Sequence, residues 1–226
     1  MLYVGLVVGV VAGNIAAHSA GLDALRVYVA TIVLLVPTLI GARLLHVVTN
    51  WSVYRHDLKR IWDHSQGGQA QYGGLMIALP LSIPLLGALG LPFGAFWDIG
   101  GITILVGMIF TRVGCLLNGC CAGRPSRRWG LNLPNLRGTW EKRLATQCLE
   151  AAWALALLVS AIWMWPLRPF PGALFLFIVA GYAFGRLFME SMRERRPGIH
   201  GFTIHHALSL CMIMVSVAVL TARWPK

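Results

Sequence analysis

Between Thr111 and Arg124 an arginine closes a long apolar run. Arg112 is followed at once by glycines (Gly114, Gly119, Gly123), by Asn118 and by three cysteines, Cys115, Cys120 and Cys121. Later, Tyr182, Arg186 and Glu190 recur at i, i+4 and i+8, and Glu150 stands near the start of another apolar run. An arginine within an apolar span is costly, so it marks function unless it snorkels to the headgroups. Several guanidiniums with carboxylate neighbours at headgroup depth suit a phosphodiester. The planar fork donates paired, charge-assisted hydrogen bonds to phosphate oxygens, which a lysine cannot reproduce. Glu150 and Glu190 then orient the arginines, act as bases, or simply neutralise them. Gly73, Gly74, Gly114, Gly119 and Gly123 permit close approach of backbone to a ligand, or tight packing between helices.

The three clustered cysteines raise the question of a metal. Their spacing is not C-x-x-C and no second such pair exists, which argues against structural zinc, so neither a metal nor a cofactor is expected. A disulfide from Cys115 to either later thiol fits an oxidising face, and packing thiols fit otherwise. Cys148 and Cys211 fall in apolar stretches and read as small buried thiols.

The elements that must position these groups are membrane spans. The chain of 226 residues is 57% hydrophobic and 12% charged, with a mean hydropathy of +0.69, outside the range of a soluble domain. At roughly 20 apolar residues per span it holds six or seven and leaves little for a separate soluble domain, so residues 1–226 read as one integral-membrane domain. The net charge of +11 points to anionic headgroups rather than nucleic acid, because the arginines sit at span ends. Met1 to Ala17 lacks a basic n-region and a persuasive cleavage site, so it reads as a short first span and not as a signal peptide. The others are predicted over Val27 to Val48, Gly73 to Leu91 (broken by Pro80 and Pro84), Phe93 to Leu117, Cys148 to Leu167, Gly172 to Met192 and Ile204 to Ala222. A polar loop covers Trp51 to Gln71, and the longest loop runs from the end of the fourth span to about Gln147. No repeat or low-complexity segment is found.

With seven spans, the ends of even-numbered helices and the starts of odd-numbered ones share one side of the membrane. Tyr3, Arg43, His46, Tyr72, Arg112, Asn118, Glu150, Arg186, Glu190, His205 and His206 all fall there, and Asp98 alone lies toward the other. Scattered anchors would divide between the faces, so an all-α, seven-span protein around a one-sided polar cavity is expected. Most of the nineteen lysines and arginines lie on that same side, which the positive-inside rule reads as cytoplasmic.

At these residues the chain resembles the prolipoprotein diacylglyceryl transferase family. Gly41-Ala42-Arg43 is similar to its glycine-arginine segment closing an early span. The stretch from Gly67 through Tyr72-Gly73-Gly74-Leu75 is similar to its His-Gly-Gly-Leu region. Asp98 and then Arg112 to Gly123 resemble its signature, an arginine before Gly-Asn with a later Asn-Gly. Arg143 to Glu150, which includes Gln147, resembles its Arg-His-Pro-Ser/Thr-Gln-Leu-Tyr-Glu segment, and Tyr182, Arg186 and Glu190 match its closing Tyr, Arg and Glu. Five segments in order are specific where any one would be weak.

The resemblance implies seven spans in the bacterial plasma (inner) membrane, with the site on the outer face, opposite to the charge distribution. It also implies transfer of the diacylglyceryl group of phosphatidylglycerol to the lipobox cysteine of a prolipoprotein, releasing glycerol phosphate. By resemblance, Arg112 and Arg186 hold phosphate, Arg43 and Arg143 support the site, Glu190 and Glu150 orient arginines, and Tyr3 and Tyr182 line the headgroup pocket. Gly73, Gly74, Gly114, Asn118, Gly119, Gly123 and Gln147 belong to the substrate-binding segments.

Three departures stand out. Tyr72 occupies the position of the family's histidine and is the catalytic candidate there, although a phenol with a pKa of about 10 is a poor base at neutral pH. His46, His206 and the substrate's own local field are the other candidates. Cys115 replaces the usual asparagine, and Cys120 stands where an acidic residue is common. The chain is also shorter than typical members and lacks their N-terminal arm, which bears on how a large precursor is recognised. A relative acting on a different acceptor and a non-catalytic anionic-lipid-binding protein are the competing readings. A carrier should show a repeat and midplane polar residues, and neither is found.

Overall fold

The computed structural model of the protein describes residues 2–55, 71–128, 130–134, 139–192 and 204–224. The described helices are α1 (Leu2–Ser19), α2 (Ala24–Thr49), the single turn α3 (Trp51–Tyr54), α4 (Gln71–Leu89), α5 (Phe93–Leu117), α6 (Thr146–Met164), α7 (Ala173–Glu190) and α8 (Ile204–Ala222). Six of them are long and apolar enough to cross a membrane, and α1 is a shorter apolar helix. The chain is therefore an all-α polytopic membrane protein. Predicted and observed bounds coincide for α5 and α8 and differ by a few residues elsewhere. Most of the expected polar loop, residues 56–70, lies outside the described residues, as do Lys59, Arg60, Arg137, Arg193, Arg195 and Arg196 of the charge count.

Two compact units are distinguished, residues 22–93 and residues 1–21 with 94–226. In the first, Asp23 caps α2 by accepting hydrogen bonds from the amides of Leu25 (3.0 Å) and Arg26 (3.2 Å). The end of α2 meets the start of α4 glycine to glycine. A Cβ on Gly73 would run into the Gly41 carbonyl and the Leu45 side chain, and one on Gly74 would approach Thr38 Cγ2 to 2.8 Å. Of the two uses open to Gly73-Gly74, helix packing is the one this contact explains. Helix α4 is continuous through Pro80 and Pro84 rather than broken. Each proline deletes one backbone bond, but in lipid no water competes for those that remain.

In the second unit, Gly5 and Gly9 let α1 lie against α5. A Cβ on either would come within 2.8 Å of a carbonyl oxygen, of Gly107 and Thr103 respectively. The core is shared by Ile102, Leu105 and Met108 of α5, Ala154, Leu157 and Ala161 of α6, and Leu174 and Ile178 of α7. Trp153 locks α6 to α7 by donating from Nε1 to the Gly181 carbonyl at 3.0 Å. Large apolar side chains such as Val159, Ile162, Phe184 and Phe188 are left exposed, as lipid-facing residues are. Cys148 and Cys211 are exposed too, not buried. A span is apolar on every face, so hydropathy alone does not say which face is covered.

Two features escaped the sequence reading. The long loop contains an antiparallel hairpin, β1 (Leu131–Pro134) with β2 (Trp140–Arg143), in register Leu131↔Arg143. Asp98, the residue left alone at the far side, caps a helix other than its own. Its carboxylate accepts from the amides of Gly172 (2.8 Å) and Phe175 (2.9 Å), the N-cap and third residue of α7. Asp98→Ala is expected to leave those amides unpaired and to cost about 2 kcal/mol. Asp98→Asn, which keeps one acceptor, should lose less. Thermal unfolding in detergent of the two variants beside wild type checks the order.

Candidate active site

The bonding needs of buried charge organise the site. Arg112 leaves α5 near its end, Glu150 leaves the second turn of α6, and Arg186 and Glu190 project from the same stripe of α7. Arg112 Nε lies 2.5 Å from Glu150 Oε2, Arg186 Nη1 lies 3.1 Å from Glu150 Oε1, and Arg186 Nη2 lies 2.9 Å from Glu190 Oε2. The four side chains are nearly enclosed, with Glu150 at 4% exposure and Arg186 at 10%. Two guanidiniums alternate with two carboxylates, so the set is neutral, which offsets a desolvation cost of several kcal/mol per ion. Glu150 is the hub, because each of its oxygens serves a different arginine on a different helix.

Among the described residues Glu150 is the ion-pair partner of Arg112 and is reached through Nε. A guanidinium reached through Nε still carries a terminal Nη fork, whose geometry suits an anion such as phosphate. Tyr182, one turn before Arg186, stands within electrostatic range of both guanidiniums. Four separately predicted residues and Tyr182 thus form one cluster, and the ends of α5 and α7 meet the start of α6 as the parity argument requires.

The segment after Arg112 is pinned to this cluster. Gly119, at φ +64, ends α5. Its amide donates to Leu116 O (3.2 Å) and the Cys120 amide to Cys115 O (3.0 Å), the paired bonds of a Schellman motif. A left-handed residue is needed there, which explains a glycine. The first turn of α6 then clamps the chain from the side. Gln147 Nε2 donates to Cys120 O (2.7 Å) and Thr146 Oγ1 to Cys121 O (2.9 Å). Gly123 is wedged where a Cβ would meet the Met192 carbonyl at 2.8 Å and Leu144 Cβ at 2.9 Å. Thr146 was not singled out from the sequence. The signal was present, as two hydrogen-bonding side chains side by side where a helix begins.

The remaining predicted residues are each placed by their own element. Tyr3 is exposed in the first turn of α1, close in sequence to the Gly5 contact with α5. Gly114 is buried in α5 and Asn118 is exposed beyond its end. Arg143 pairs with Glu141 on the hairpin (2.8 Å). In the other unit, Arg43 is buried on α2 with its guanidinium 5.6 Å from the centre of the Tyr54 ring, His46 meets the same ring edge-on, and Tyr72 is buried in the first turn of α4.

The cysteines come together more closely than their spacing suggested. All five are thiols, and the sulfur atoms of Cys115, Cys120 and Cys121 lie within 4.8 Å of one another. Hydrogen bonding with Cys115 and Cys121, followed by burial, pushes the Cys120 thiol above its ordinary range.

Comparison with known proteins shows the family. The family model described as prolipoprotein diacylglyceryl transferase matches residues 1–222. A phosphatidylglycerol-prolipoprotein diacylglyceryl transferase of Lactiplantibacillus plantarum is 33% identical over 205 residues, which is 82% of this chain and 70% of that protein. The enzyme of the same name from Geobacillus kaustophilus is 28% identical, covering 83% of this chain and 73% of its own. That of Listeria monocytogenes serotype 4a is 26% identical, covering 84% and 71%.

Proposed function

Because the chain belongs to the prolipoprotein diacylglyceryl transferase family, we propose that the cluster of Arg112, Glu150, Arg186 and Glu190 is where it transfers the diacylglyceryl group of phosphatidylglycerol to a prolipoprotein thiol. The acceptor is the lipobox cysteine. Its thiolate attacks the glyceryl carbon that carries the phosphate, a C–S bond forms, the C–O bond breaks, and the electron pair leaves on the phosphate oxygen of glycerol phosphate. Negative charge grows on that oxygen as the bond breaks, and donors preorganised around it lower the barrier.

The observation that carries this reading is the shared carboxylate. Glu150 holds Arg112 and Arg186 side by side, so two guanidiniums face one anion without having to be gathered when it arrives. Glu190 fixes the second fork from its other edge. Tyr182 completes the wall, and the clamped turn from Asn118 to Gly123 supplies backbone beside it. The enzyme acts in the bacterial plasma membrane, on the side where these helix ends meet.

The direct test supplies purified protein with phosphatidylglycerol and a lipobox peptide. Mass spectrometry should find the peptide heavier by a diacylglyceryl group, with glycerol phosphate released in equal amount. Absence of the adduct under conditions where a relative such as the Lactiplantibacillus plantarum enzyme works would sink the reading.

A further inference from the structure

The sulfur atoms of Cys115, Cys120 and Cys121 meet for a reason that lies in the backbone. In a Schellman motif the side chain three residues inside the helix end packs against the second residue beyond the cap. Here those positions are Cys115 and Cys120, joined by the 3.0 Å bond from the Cys120 amide to the Cys115 carbonyl. Cys121 follows at φ +63, a left-handed conformation that costs a non-glycine residue about 1 kcal/mol. That turn brings the third thiol round to the other two. The bonds from Gln147 and Thr146 to the Cys120 and Cys121 carbonyls hold it there. Cys115 and Cys120 are half-buried and Cys121 is exposed, so the cluster is open to an incoming group at Cys121. Arg112 lies one turn before Cys115 on α5, and the thiols of Cys115 and Cys121 are within electrostatic range of its guanidinium.

We infer that Cys115, Cys120 and Cys121 form a three-thiolate site for a soft d10 cation, zinc in the first instance, whose open fourth position takes the acceptor thiol beside Arg112. Three sulfur donors suit zinc by softness, and a catalytic zinc keeps one position free. The positive charge of Arg112 helps offset the excess negative charge of a divalent ion held by three thiolates. This inference rests on the transfer reading and supplies what that reading lacks, a means of making the acceptor nucleophilic where Tyr72 is a poor base. On coordination the three cysteines and the acceptor thiol would each give up a proton to water, because a metal-bound thiol is deprotonated outright. The bound thiolate then forms the C–S bond as the C–O bond to phosphate breaks. The electron pair leaves on the phosphate oxygen held by Arg112 and Arg186. The thioether product carries no charge and is a weaker ligand than the thiolate, which favours its release.

The test begins with metal and not with turnover. Protein purified with a non-thiol reductant is loaded with Zn2+ and dialysed, and metal is counted by mass spectrometry. About one zinc per chain is expected for wild type and for Cys148→Ser, and background for the Cys115→Ser/Cys120→Ser/Cys121→Ser variant. Co2+ loaded into wild type should give a sulfur-to-metal charge-transfer band that shifts when a lipobox peptide is added and not when its cysteine is replaced by serine. No zinc retained by wild type, equal retention by the triple variant, or a cobalt band indifferent to the peptide thiol would each overturn the inference. Zinc and a responsive cobalt band without any diacylglyceryl adduct would support the site while removing the transfer reading. Undiminished adduct from metal-free wild type would remove the metal's role while leaving the transfer reading in place.

Discussion

Glu150→Gln is expected to unfold the protein at markedly lower temperature and to abolish most transfer. The substitution keeps shape and removes charge, so Arg112 loses its ion-pair partner among the described residues and Arg186 keeps Glu190 alone. Removing one partner of a buried pair typically costs about 3–5 kcal/mol, because the other charge stays buried without compensation. Thermal unfolding in detergent measures that loss. Stability and catalysis separate in the double variant Glu150→Gln/Arg186→Gln, which removes one positive charge with the negative one. It should recover part of the unfolding temperature and none of the turnover. An unfolding temperature unchanged by Glu150→Gln would show that the carboxylate is not the hub of the cluster.

Arg112→Lys should leave the fold intact and lower turnover by roughly 100-fold or more, the usual cost of removing one well-placed donor to a developing oxyanion. A lysine keeps the charge and reaches Glu150, but it presents a point where the guanidinium presents a fork. Its ammonium cannot hold Glu150 and bracket a phosphate in one plane. Arg186→Lys should be at least as damaging, since Arg186 bridges two carboxylates at 3.1 and 2.9 Å. Both are read from the rate of adduct formation at saturating phosphatidylglycerol. Near-normal turnover in Arg112→Lys would place the phosphate elsewhere.

The charge cluster and the thiol cluster share one piece of backbone, and this gives the cysteine departures a definite setting. Thr146 and Gln147 sit one turn before Glu150 on α6 and hold the cysteine turn by its carbonyls. A shift of that first turn would move both the arginine hub and the thiols. Gly123 adds a third tie, through its amide to the Leu144 carbonyl at 2.8 Å. The arginine cluster and the thiol cluster are therefore positioned by the same few residues.

Much of the molecule was legible in the order of residues. Lipid leaves a span no choice but about 20 apolar residues in a helix, so hydropathy located the spans to within a few positions. The stripe of Tyr182, Arg186 and Glu190 was readable because helical spacing alone puts them on one face. Parity of the spans then assigned Arg112, Glu150 and that stripe to a common side. Five ordered segments were enough to suggest the family. What the order of residues did not contain was the rotation of each helix about its own axis. Only the packing of α5, α6 and α7 decided that Glu150 faces both arginines and that Asp98 caps the start of α7, and only strand pairing in the hairpin set Arg143 beside Glu141. The cysteines make the same point at shorter range: their spacing argued against structural zinc and left a disulfide or packing thiols open, and a left-handed turn after α5, clamped from α6, drew the three sulfur atoms together. Local spacing specifies which residues share a helix face, whereas the partner that face meets is set by the volume and hydrogen bonds of the neighbouring helices.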